Sequence, residues 1–510
     1  MGRTNDIFRQ LEEATLESDR LRKENRRWRI KNKELRAENA RLVKRIEALE
    51  RTMEERINKA VEEAVAKAVA PLQAATAEKD KEILRLKSQL DKDSSNSSKP
   101  PGSNGFKQIS NNREKSSKKQ GGQFGHKGSR LNIPENLDEL VESGIAEHII
   151  LSEVTEGEPY TSDWTVDLRI VPVFTERRRK PGKPPKIEYG LQLKAIAVYL
   201  CVIGLIAVKR LTQFFHEISY GLIPISKATV AQFTSDAADG IDLTDNARDL
   251  LNGRVINTDE TPIKTSERPN KRGVLETAEK TTFSAYIRTY SNKTTTVLTA
   301  NSYKTEESII SDNILTQFHG IISQDHEAKF YNFGDSNATC GAHLTRELKG
   351  LAELYLLDWA AEARLFFLDM NNHKNKDVHN GSTACEPALL CSFESSYDNL
   401  LHEGKLQLEK LPPKSFGYNE LRKMVNRLDK YKDNHLLFIR NYEAPFTNNQ
   451  AERDLRHCKT KQKVSGCFRS WKGVLDYCKI RSALDTAKKR NENLFDTLLA
   501  LLLHTSTAGQ

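Results

Sequence analysis

The sequence predicts a mixed α/β protein preceded by a long helical arm. Residues 6–91 are mostly Glu, Lys, Arg, Ala, Leu and Asn with a single proline, which is typical of long helices. After residue 250, short runs rich in β-branched residues alternate with segments of helical periodicity, which indicates strands and helices in one folded part. With 29% charged and 37% hydrophobic residues, the 510-residue chain is too polar for one compact globule. We therefore expect about three or four units.

Charge and hydropathy indicate a class of partner. The chain carries 79 Lys and Arg against 70 Asp and Glu, a formal net charge of +9, which favours a polyanionic partner. The longest apolar run, residues 195–208, is shorter than the roughly 20 residues that a bilayer helix needs, so it predicts one buried helix and no membrane contact. The N-terminal residues lack the apolar core of a signal peptide, and seven scattered cysteines suggest no disulfide framework. We therefore expect a cytoplasmic protein.

A heptad repeat runs through the first half of the arm. Its d positions are Leu21, Trp28, Leu35, Leu42 and Leu49, and its a positions are Asn25, Asn32, Asn39 and Ile46. Pairs of asparagines at the a positions fix the register of a coiled coil and favour two parallel helices. The pattern predicts a coiled coil over residues 6–92 that forms a homodimer or a higher oligomer; a single solvated helix is the alternative. Pro71 should interrupt the helix, with a second short helix from Glu78 to Leu90.

The segment 93–131 is predicted to be a flexible basic linker. Ser, Asn, Gly, Pro and Lys dominate it, and it has too few apolar side chains to form a core. Its cations could neutralise phosphates, or the segment could be a plain tether. These cations are Lys115, Lys118, Lys119, Lys127 and Arg130.

Residues 132–189 are predicted to form a small β-rich region. The stretches HIILSEV and WTVDLRIVPVF alternate apolar and polar residues, which favours short strands. The region ends in a cationic run that is a candidate nucleic-acid contact. The run comprises Arg177, Arg178, Arg179, Lys180 and Lys183.

The segment 190–250 is predicted to be helical. An apolar helix is followed by LTQFFHEISYG, a turn, and a second helix for which Ser226 is the expected N-cap. Two helices joined by a short turn are typical of a helix-turn-helix, and Lys227 would then face nucleic acid. Simple packing of two helices is the equal alternative.

Three carboxylates stand out in the rest of the chain. Asp259 ends a β-branched run that Pro262 should close, and Asp325 ends another. Two strands that each end in an aspartate can bridge divalent cations. Glu452 lies near the start of a predicted helix, after Asn448 and Asn449. The cations Arg453, Arg456, Lys459, Lys461 and Lys463 follow it. This composition suits a site that acts on phosphodiesters, in which the acidic residues bind metal ions and the basic residues bind DNA.

Several motifs occur in an order that resembles one family. They are the zipper, NSSKPP, GGQFGHKG, LIPISKATVAQF, TDETP, CGAHLTREL and NNQAERDLR. In these, the chain resembles bacterial DDE transposases of the insertion sequence sixty-six family over nearly all its length. The resemblance implies an RNase H-like core made of residues 251–343 and 441–510, interrupted by an all-α insertion at 344–440.

The resemblance also implies roles for single residues. Asp259, Asp325 and Glu452 look like the acidic triad that binds two Mg²⁺ or Mn²⁺ ions. Cys340 and His343 look like the C-x-x-H signature of several DDE transposase groups. Lys459, seven residues after the glutamate, sits where related transposases often carry a basic residue that contacts DNA.

The implied activity is cleavage of double-stranded DNA at the terminal inverted repeats of an insertion sequence, followed by strand transfer into target DNA. One ion would activate a water to attack the phosphodiester and the other would stabilise the leaving 3′ oxygen, after which the freed 3′-OH attacks the target. We expect the protein to associate with the bacterial nucleoid. The family implies accessory proteins in many elements. The alternatives are a metal-dependent nuclease or resolvase without strand transfer, and a non-catalytic coiled-coil DNA-binding protein.

The chain departs from the family pattern in its cysteines. Many members carry a Cys-rich zinc element after the linker, but residues 132–186 contain no cysteine. Recognition of the terminal repeats should then fall on the cationic run and the helix-turn-helix-like segment. The close pair Cys340 and His343 lacks an apparent second pair for zinc. The set His373, His379, Cys385 and Cys391 is evenly spaced by six residues, which is not typical of zinc sites.

Overall fold

The structure, a computed structural model, describes residues 2–93, 95–97, 132–151, 161–176, 178 and 187–508. The chain divides into two compact units, Met1–Leu90 and Asp91–Gln510. The linker cations named above lie outside the described residues, as do Arg177, Arg179, Lys180 and Lys183. In the described ranges, no helix is both long enough and apolar enough to cross a membrane.

The N-terminal unit is one long helix. α1 runs without a break through Gly2–Asp91, 90 residues, with Pro71 inside it. The prediction that Pro71 separates a second helix is therefore wrong. A proline removes a single backbone donor, and the alanine-rich sequence on both sides has the highest helix propensity. The heptad side chains stay uncovered along the helix; Leu21 and Leu49 are 54% and 59% exposed. A long helix with an uncovered apolar stripe fits a coiled coil.

The region before the first core helix contains little regular structure. Its described residues form the short helix α2, Leu137–Glu142, and no strand. The stretch WTVDLRIVPVF, which predicted a strand, has no regular secondary structure, and Leu168 is 82% exposed. Alternation favours a strand only where a neighbouring strand and a core are present, and the described residues supply neither here.

Four helices precede the sheet: α3 Leu191–Val202, α4 Val208–Ile218, α5 Lys227–Asp239 and α6 Thr244–Leu251. The prediction that residues 195–208 form one helix is wrong, because α3 ends at Val202 and the chain turns at Gly204 and Leu205, where φ is +54° at Leu205. Burial is as expected, since Ala195 and Val198 are fully buried. The predicted N-cap is confirmed: the Ser226 hydroxyl accepts a hydrogen bond from the Thr229 N–H at 3.0 Å.

A five-stranded mixed sheet forms the centre of the second unit. The strands are β1 Val255–Thr265, β4 Phe283–Ser291, β5 Thr296–Asn301, β6 Ile321–Gln324 and β7 Ser336–Thr339, and β2 Glu267–Pro269 pairs separately with β3 Leu275–Thr277. The order in the large sheet is β5-β4-β1-β6-β7. β5, β4 and β1 are antiparallel, whereas β1, β6 and β7 are parallel. The predicted α/β class, a mixed sheet flanked by helices, is confirmed.

Helices cover both faces of the sheet. On one face, Ile256, Tyr290 and Ile322 pack with α7, Glu306–Ser311. The opposite face carries Ile263 and Ile287, which pack with the C-terminal helices. The helices that follow β7 are α8 Gly341–Tyr355, α9 Asp358–His379, α10 Pro387–Lys410, α11 Tyr418–Lys430, α12 Lys432–Arg440, α13 Asn449–Ser465, α14 Trp471–Lys489 and α15 Leu494–Ala508.

Candidate active site

Two neighbouring parallel strands carry the two aspartates. Asp259 lies within β1, and Asp325 directly follows β6, whose ladder with β1 ends at the pair Asn257 and Ser323. The prediction that Pro262 closes β1 is wrong, because the strand continues to Thr265. On this edge of β1 the ladder with β6 ends at Asn257, and among the described residues pairing resumes only at Thr265, with Phe468. A residue without an N–H therefore costs no ladder hydrogen bond at position 262.

The third carboxylate comes from the first turn of α13. Asn448 precedes this helix and is fully buried. Its side-chain amide donates to the Thr258 carbonyl at 2.8 Å and to Asp325 Oδ1 at 3.2 Å. Asn448 therefore ties the start of the Glu452 helix to both aspartate-bearing strands. Asn449, by contrast, is exposed, and its carbonyl accepts a hydrogen bond from Arg453 Nε.

The start of α8 lies against the same carboxylates. His343 Nδ1 is 3.4 Å from Asp325 Oδ1, and His343 Nε2 is 3.7 Å from Glu452 Oε1. Cys340, the residue before α8, is buried, and its Sγ accepts the Asn448 backbone N–H at 3.2 Å. The predicted residues Asp325, Glu452, Cys340, His343 and Asn448 are thus brought together, although 123 positions separate Asp325 from Asn448 in sequence.

A glycine permits this close approach of α8 to the loop before α13. The Gly341 N–H donates to the Phe446 carbonyl at 2.7 Å. A Cβ added at Gly341 would lie 2.2 Å from the Phe446 ring, which is closer than any side chain can stand. Any larger residue at this position would push α8, and with it His343, away from Glu452.

The three carboxylates create a concentration of negative charge. The pKa of Asp259 is raised to about 7, first by burial and then by repulsion from Asp325, with a smaller contribution from Glu452. Burial lowers the pKa of His343, but the Asp325 carboxylate and the Cys340 sulfur beside the imidazole outweigh this and raise the pKa to about 10. The His343 imidazolium and the Arg346 guanidinium, 3.5 Å from Glu452, together carry less charge than three ionised carboxylates. The oxygen-rich donor set and its unbalanced charge fit divalent cations.

Cations extend from this site along α13. Glu452, Arg456, Lys459 and Lys463 are spaced i, i+4, i+7 and i+11, so they share one face of the helix. The three basic residues are exposed, while Leu455 on another face is buried. We call Arg456, Lys459 and Lys463 the basic stripe.

Not all predicted DNA contacts share this arrangement. Arg453 is exposed beside the stripe. Lys461 is partly buried, with its ammonium 4.8 Å from the centre of the Tyr477 ring. Lys227, the first residue of α5, is exposed. Arg178 is also exposed and forms an ion pair with Glu176 at 3.2 Å.

Sequence reasoning missed Arg346. Its Nη2 lies 3.5 Å from Glu452 Oε1, one further helical turn along α8 from His343. The spacing of Cys340, His343 and Arg346, three residues each, would have revealed a common helix face.

Sequence reasoning also missed an aromatic cluster that begins at His326, the residue after Asp325. His326 adopts a positive φ of 67° and hydrogen-bonds through Nδ1 to the Tyr331 hydroxyl at 2.6 Å. Tyr331 stacks on Tyr431, with ring centres 4.6 Å apart, and His435 hydrogen-bonds to Thr339 at 3.0 Å. The cluster connects the loop that carries Asp325 to the junction of α11 and α12. No local pattern signals it, because its members lie about a hundred residues apart.

Comparison with known families identifies the class of this chain. A sequence model described as Transposase IS66 family matches residues 186–475, more than half of the chain. The chain therefore belongs to the IS66 family of transposases, as its motifs predicted. Membership implies DNA binding and the use of divalent metal ions. A second model, for a family of unknown function (DUF6444), matches residues 4–132. No match was found among curated proteins.

Proposed function

We propose that the protein is a DDE transposase that cleaves DNA at insertion-sequence ends and transfers the cut strands into target DNA. The observation that carries this proposal is the convergence of Asp325 and Glu452 on His343, beside the half-buried Asp259. A mixed sheet with aspartates on two adjacent parallel strands and a glutamate on a packed helix supports an RNase H-like core. The helices α9–α12 support an all-α insertion before the glutamate helix.

Asp259, Asp325 and Glu452 would hold two Mg²⁺ or Mn²⁺ ions. Such ions, when bound, activate a water as nucleophile and stabilise the leaving 3′ oxygen. Asn448 would hold the Asp325 carboxylate in place through its 3.2 Å hydrogen bond. Arg346, 3.5 Å from Glu452, would orient that carboxylate until metal neutralises it.

In this proposal, cleavage breaks the bond between the phosphorus and the 3′ oxygen at the element's end and leaves a 3′-OH. That hydroxyl then attacks a target phosphodiester in line, forming a new bond to phosphorus while the target 3′ oxygen departs. The reaction needs no covalent bond between protein and DNA.

The basic stripe would hold the DNA next to the carboxylates. Glu452 and Lys463 are separated along the helix axis by about 16 Å. Arg456 and Lys459 lie between them and are exposed. Contacts of this kind are made to phosphates and carry no sequence information. Lys227 and the run Arg177, Arg178, Arg179 and Lys180 are the proposed contacts for the terminal repeats.

The arm would bring two subunits together. The uncovered d positions, among them Leu21 and Leu49, require a partner, and the a-position asparagines favour a parallel pair in one register. A homodimer, or a higher assembly, could then hold both ends of an element at once.

The decisive experiment is cleavage by the Asp259→Asn variant. This change keeps the shape of the side chain but removes a metal ligand, so cleavage of end-containing DNA should fall by at least about a thousandfold. Binding of the same DNA, measured by electrophoretic mobility shift, should remain. Asp335→Asn is the matched control, because Asp335 is exposed and pairs only with His319 among the residues described. Metal-dependent cleavage by Asp259→Asn at the wild-type rate would overturn the assignment.

Strand transfer is tested separately with a precleaved end that carries a 3′-OH and a plasmid target. A transposase joins the end to the plasmid, and Asp259→Asn should abolish the joined product. Hydrolysis of uncut DNA without any joining would instead identify a nuclease that uses the same carboxylates.

A further inference from the structure

We propose that Asp325, Cys340 and His343 form a binding site for a thiophilic divalent cation of the Zn²⁺ class. Each residue offers one ligand atom, and the three atoms all lie within 4.8 Å of one another. The site differs in chemistry from the carboxylate triad, because it combines sulfur, nitrogen and oxygen donors. It shares one residue, Asp325, with that triad.

Two of the ligands come from the start of α8. Cys340 precedes the helix and His343 lies in its first turn, so a separation of three residues places both on one face. The third ligand comes from a different element, the end of β6. This explains why the sequence showed a close pair without a second pair: the missing ligand is a carboxylate supplied by the sheet.

The distances are close to those that a tetrahedral zinc ion requires. Zinc bonds of about 2.3 Å to sulfur and about 2.0–2.2 Å to nitrogen and oxygen place tetrahedral ligands about 3.3–3.6 Å apart. His343 Nδ1 and Asp325 Oδ1 are already 3.4 Å apart. Small side-chain movements would bring in the Cys340 sulfur. Three protein ligands leave a fourth position open, which is typical of zinc sites that exchange a water or another ligand.

The surroundings hold the sulfur and the imidazole in place. The Cys340 sulfur accepts the Asn448 backbone N–H at 3.2 Å and lies beside the first turn of the 15-residue helix α8. With Nδ1 directed to Asp325, the other ring nitrogen of His343 points to Glu452 at 3.7 Å. A carboxylate behind a histidine ligand fixes the orientation of the ring and strengthens its donor atom.

Occupancy of this site has a consequence for the proposed reaction, and only this consequence rests on the proposed function. A zinc-class ion would take an Asp325 oxygen that the magnesium site needs. Micromolar Zn²⁺ should therefore inhibit Mg²⁺-dependent cleavage, and a higher Mg²⁺ concentration should reverse the inhibition. In this way the site would make the enzyme sensitive to the supply of thiophilic metals.

The direct test uses Co²⁺ as a spectroscopic probe of the full-length, reduced protein without DNA. Thiolate coordination gives a sulfur-to-cobalt charge-transfer band in the near ultraviolet. We expect the band in the wild type and in Cys391→Ser, whose cysteine is exposed and remote in sequence from the site. Cys340→Ser should lose it. No band in the wild type, or an unchanged band in Cys340→Ser, would overturn the proposal.

A second pair of variants guards against misfolding and separates the two sites. His343→Gln keeps the thiolate but loses a ligand, so its Co²⁺ affinity should fall at least about tenfold, since even outer-shell partners contribute roughly 10–100-fold. Circular dichroism checks the helix content of each variant. Asp259→Asn should keep both the band and the affinity, because Asp259 is not one of the three ligands. Equal Co²⁺ affinity of His343→Gln and the wild type would contradict the site even if Asp259→Asn loses cleavage as proposed.

Discussion

Adjacent acidic residues of β1 lie in opposite electrostatic surroundings. Asp259 faces Asp325 and Glu452, with His343 as its main cationic neighbour. Glu260 points to the other face of the sheet, where its Oε1 accepts a hydrogen bond from Arg288 Nε at 2.7 Å and its Oε2 pairs with Lys329. Because side chains alternate between the two faces of a strand, Asp259 lies among other carboxylates, whereas Glu260 lies between two cations.

The difference shows that neighbouring residues of one motif, TDETP, can belong to two different kinds of charge cluster. Arg288 is fully buried and pairs with both Glu260 and Asp312, so this face is a closed structural network. On the Asp259 face, the carboxylates outnumber the cations that contact them. Removing one partner of a buried ion pair strongly destabilises a fold, whereas a cluster with a shifted pKa is typical of functional sites.

Breaking the closed network should produce the largest effect on stability. Arg288→Met leaves the Asp312 carboxylate buried without its guanidinium partner, and the free energy of unfolding should fall by about 3–5 kcal/mol. Urea denaturation followed by circular dichroism measures this. The matched control is Arg248→Met, because Arg248 forms an exposed pair with Asp245 and should change stability by less than about 0.5 kcal/mol. Equal losses from both variants would remove the contrast between the faces.

The opposite face should respond with the opposite sign. Asp259 has a folded-state pKa of about 7 against an ordinary 3.8, so its ionisation disfavours the metal-free fold as pH rises between these values. Asp259→Asn should therefore be more stable than the wild type at pH 8, on the order of 1–3 kcal/mol, and the gain should vanish near pH 4. Denaturation midpoints without metal across this range measure it. Asp335→Asn should show no such trend, and a destabilised Asp259→Asn at pH 8 would be contrary to the assigned repulsion.

A smaller effect distinguishes free cations from paired ones. Lys459→Ala should reduce the slope of log affinity for DNA against log salt by about 1 and leave stability unchanged, because this lysine is exposed. Lys329→Ala removes a cation already paired with Glu260, so it should lower stability and leave the salt slope unchanged. Fluorescence anisotropy at several salt concentrations reads the slope. Identical slopes for Lys459→Ala and the wild type would exclude the basic stripe as a phosphate contact.

The sequence was informative where the determinants were local. The β-branched run around Asp259, the hydroxyl of Ser226 before α5 and the heptad leucines each follow rules that operate within a few residues. The wrong predictions concern two prolines that were expected to end a helix and a strand. Pro71 lies inside a helix because its flanks are strong helix formers, and Pro262 lies inside β1 because the ladder with β6 ends before it, at Asn257.

The rest of the candidate site depends on contacts between elements far apart in sequence. Asp325, which lies close to the Cys340–His343 pair, directly follows β6, and the contact of Arg346 with Glu452 spans α8 and α13. The stacking of Tyr331 on Tyr431 likewise joins segments a hundred residues apart. No single-sequence pattern encodes such distances, so the structure had to supply them.

The hydrogen bond from Asn448 to Thr258 joins residues 190 positions apart. Contacts of such sequence separation form late in folding, because a long loop must close before they contribute. During synthesis, which proceeds from the N-terminus, the arm and all seven described strands emerge well before the helix that carries Glu452. A chain truncated by a premature stop or a frameshift upstream of residue 448 would lack both the tie and the third carboxylate. With the function proposed above, such a truncated protein should still associate through the arm but fail to cut DNA.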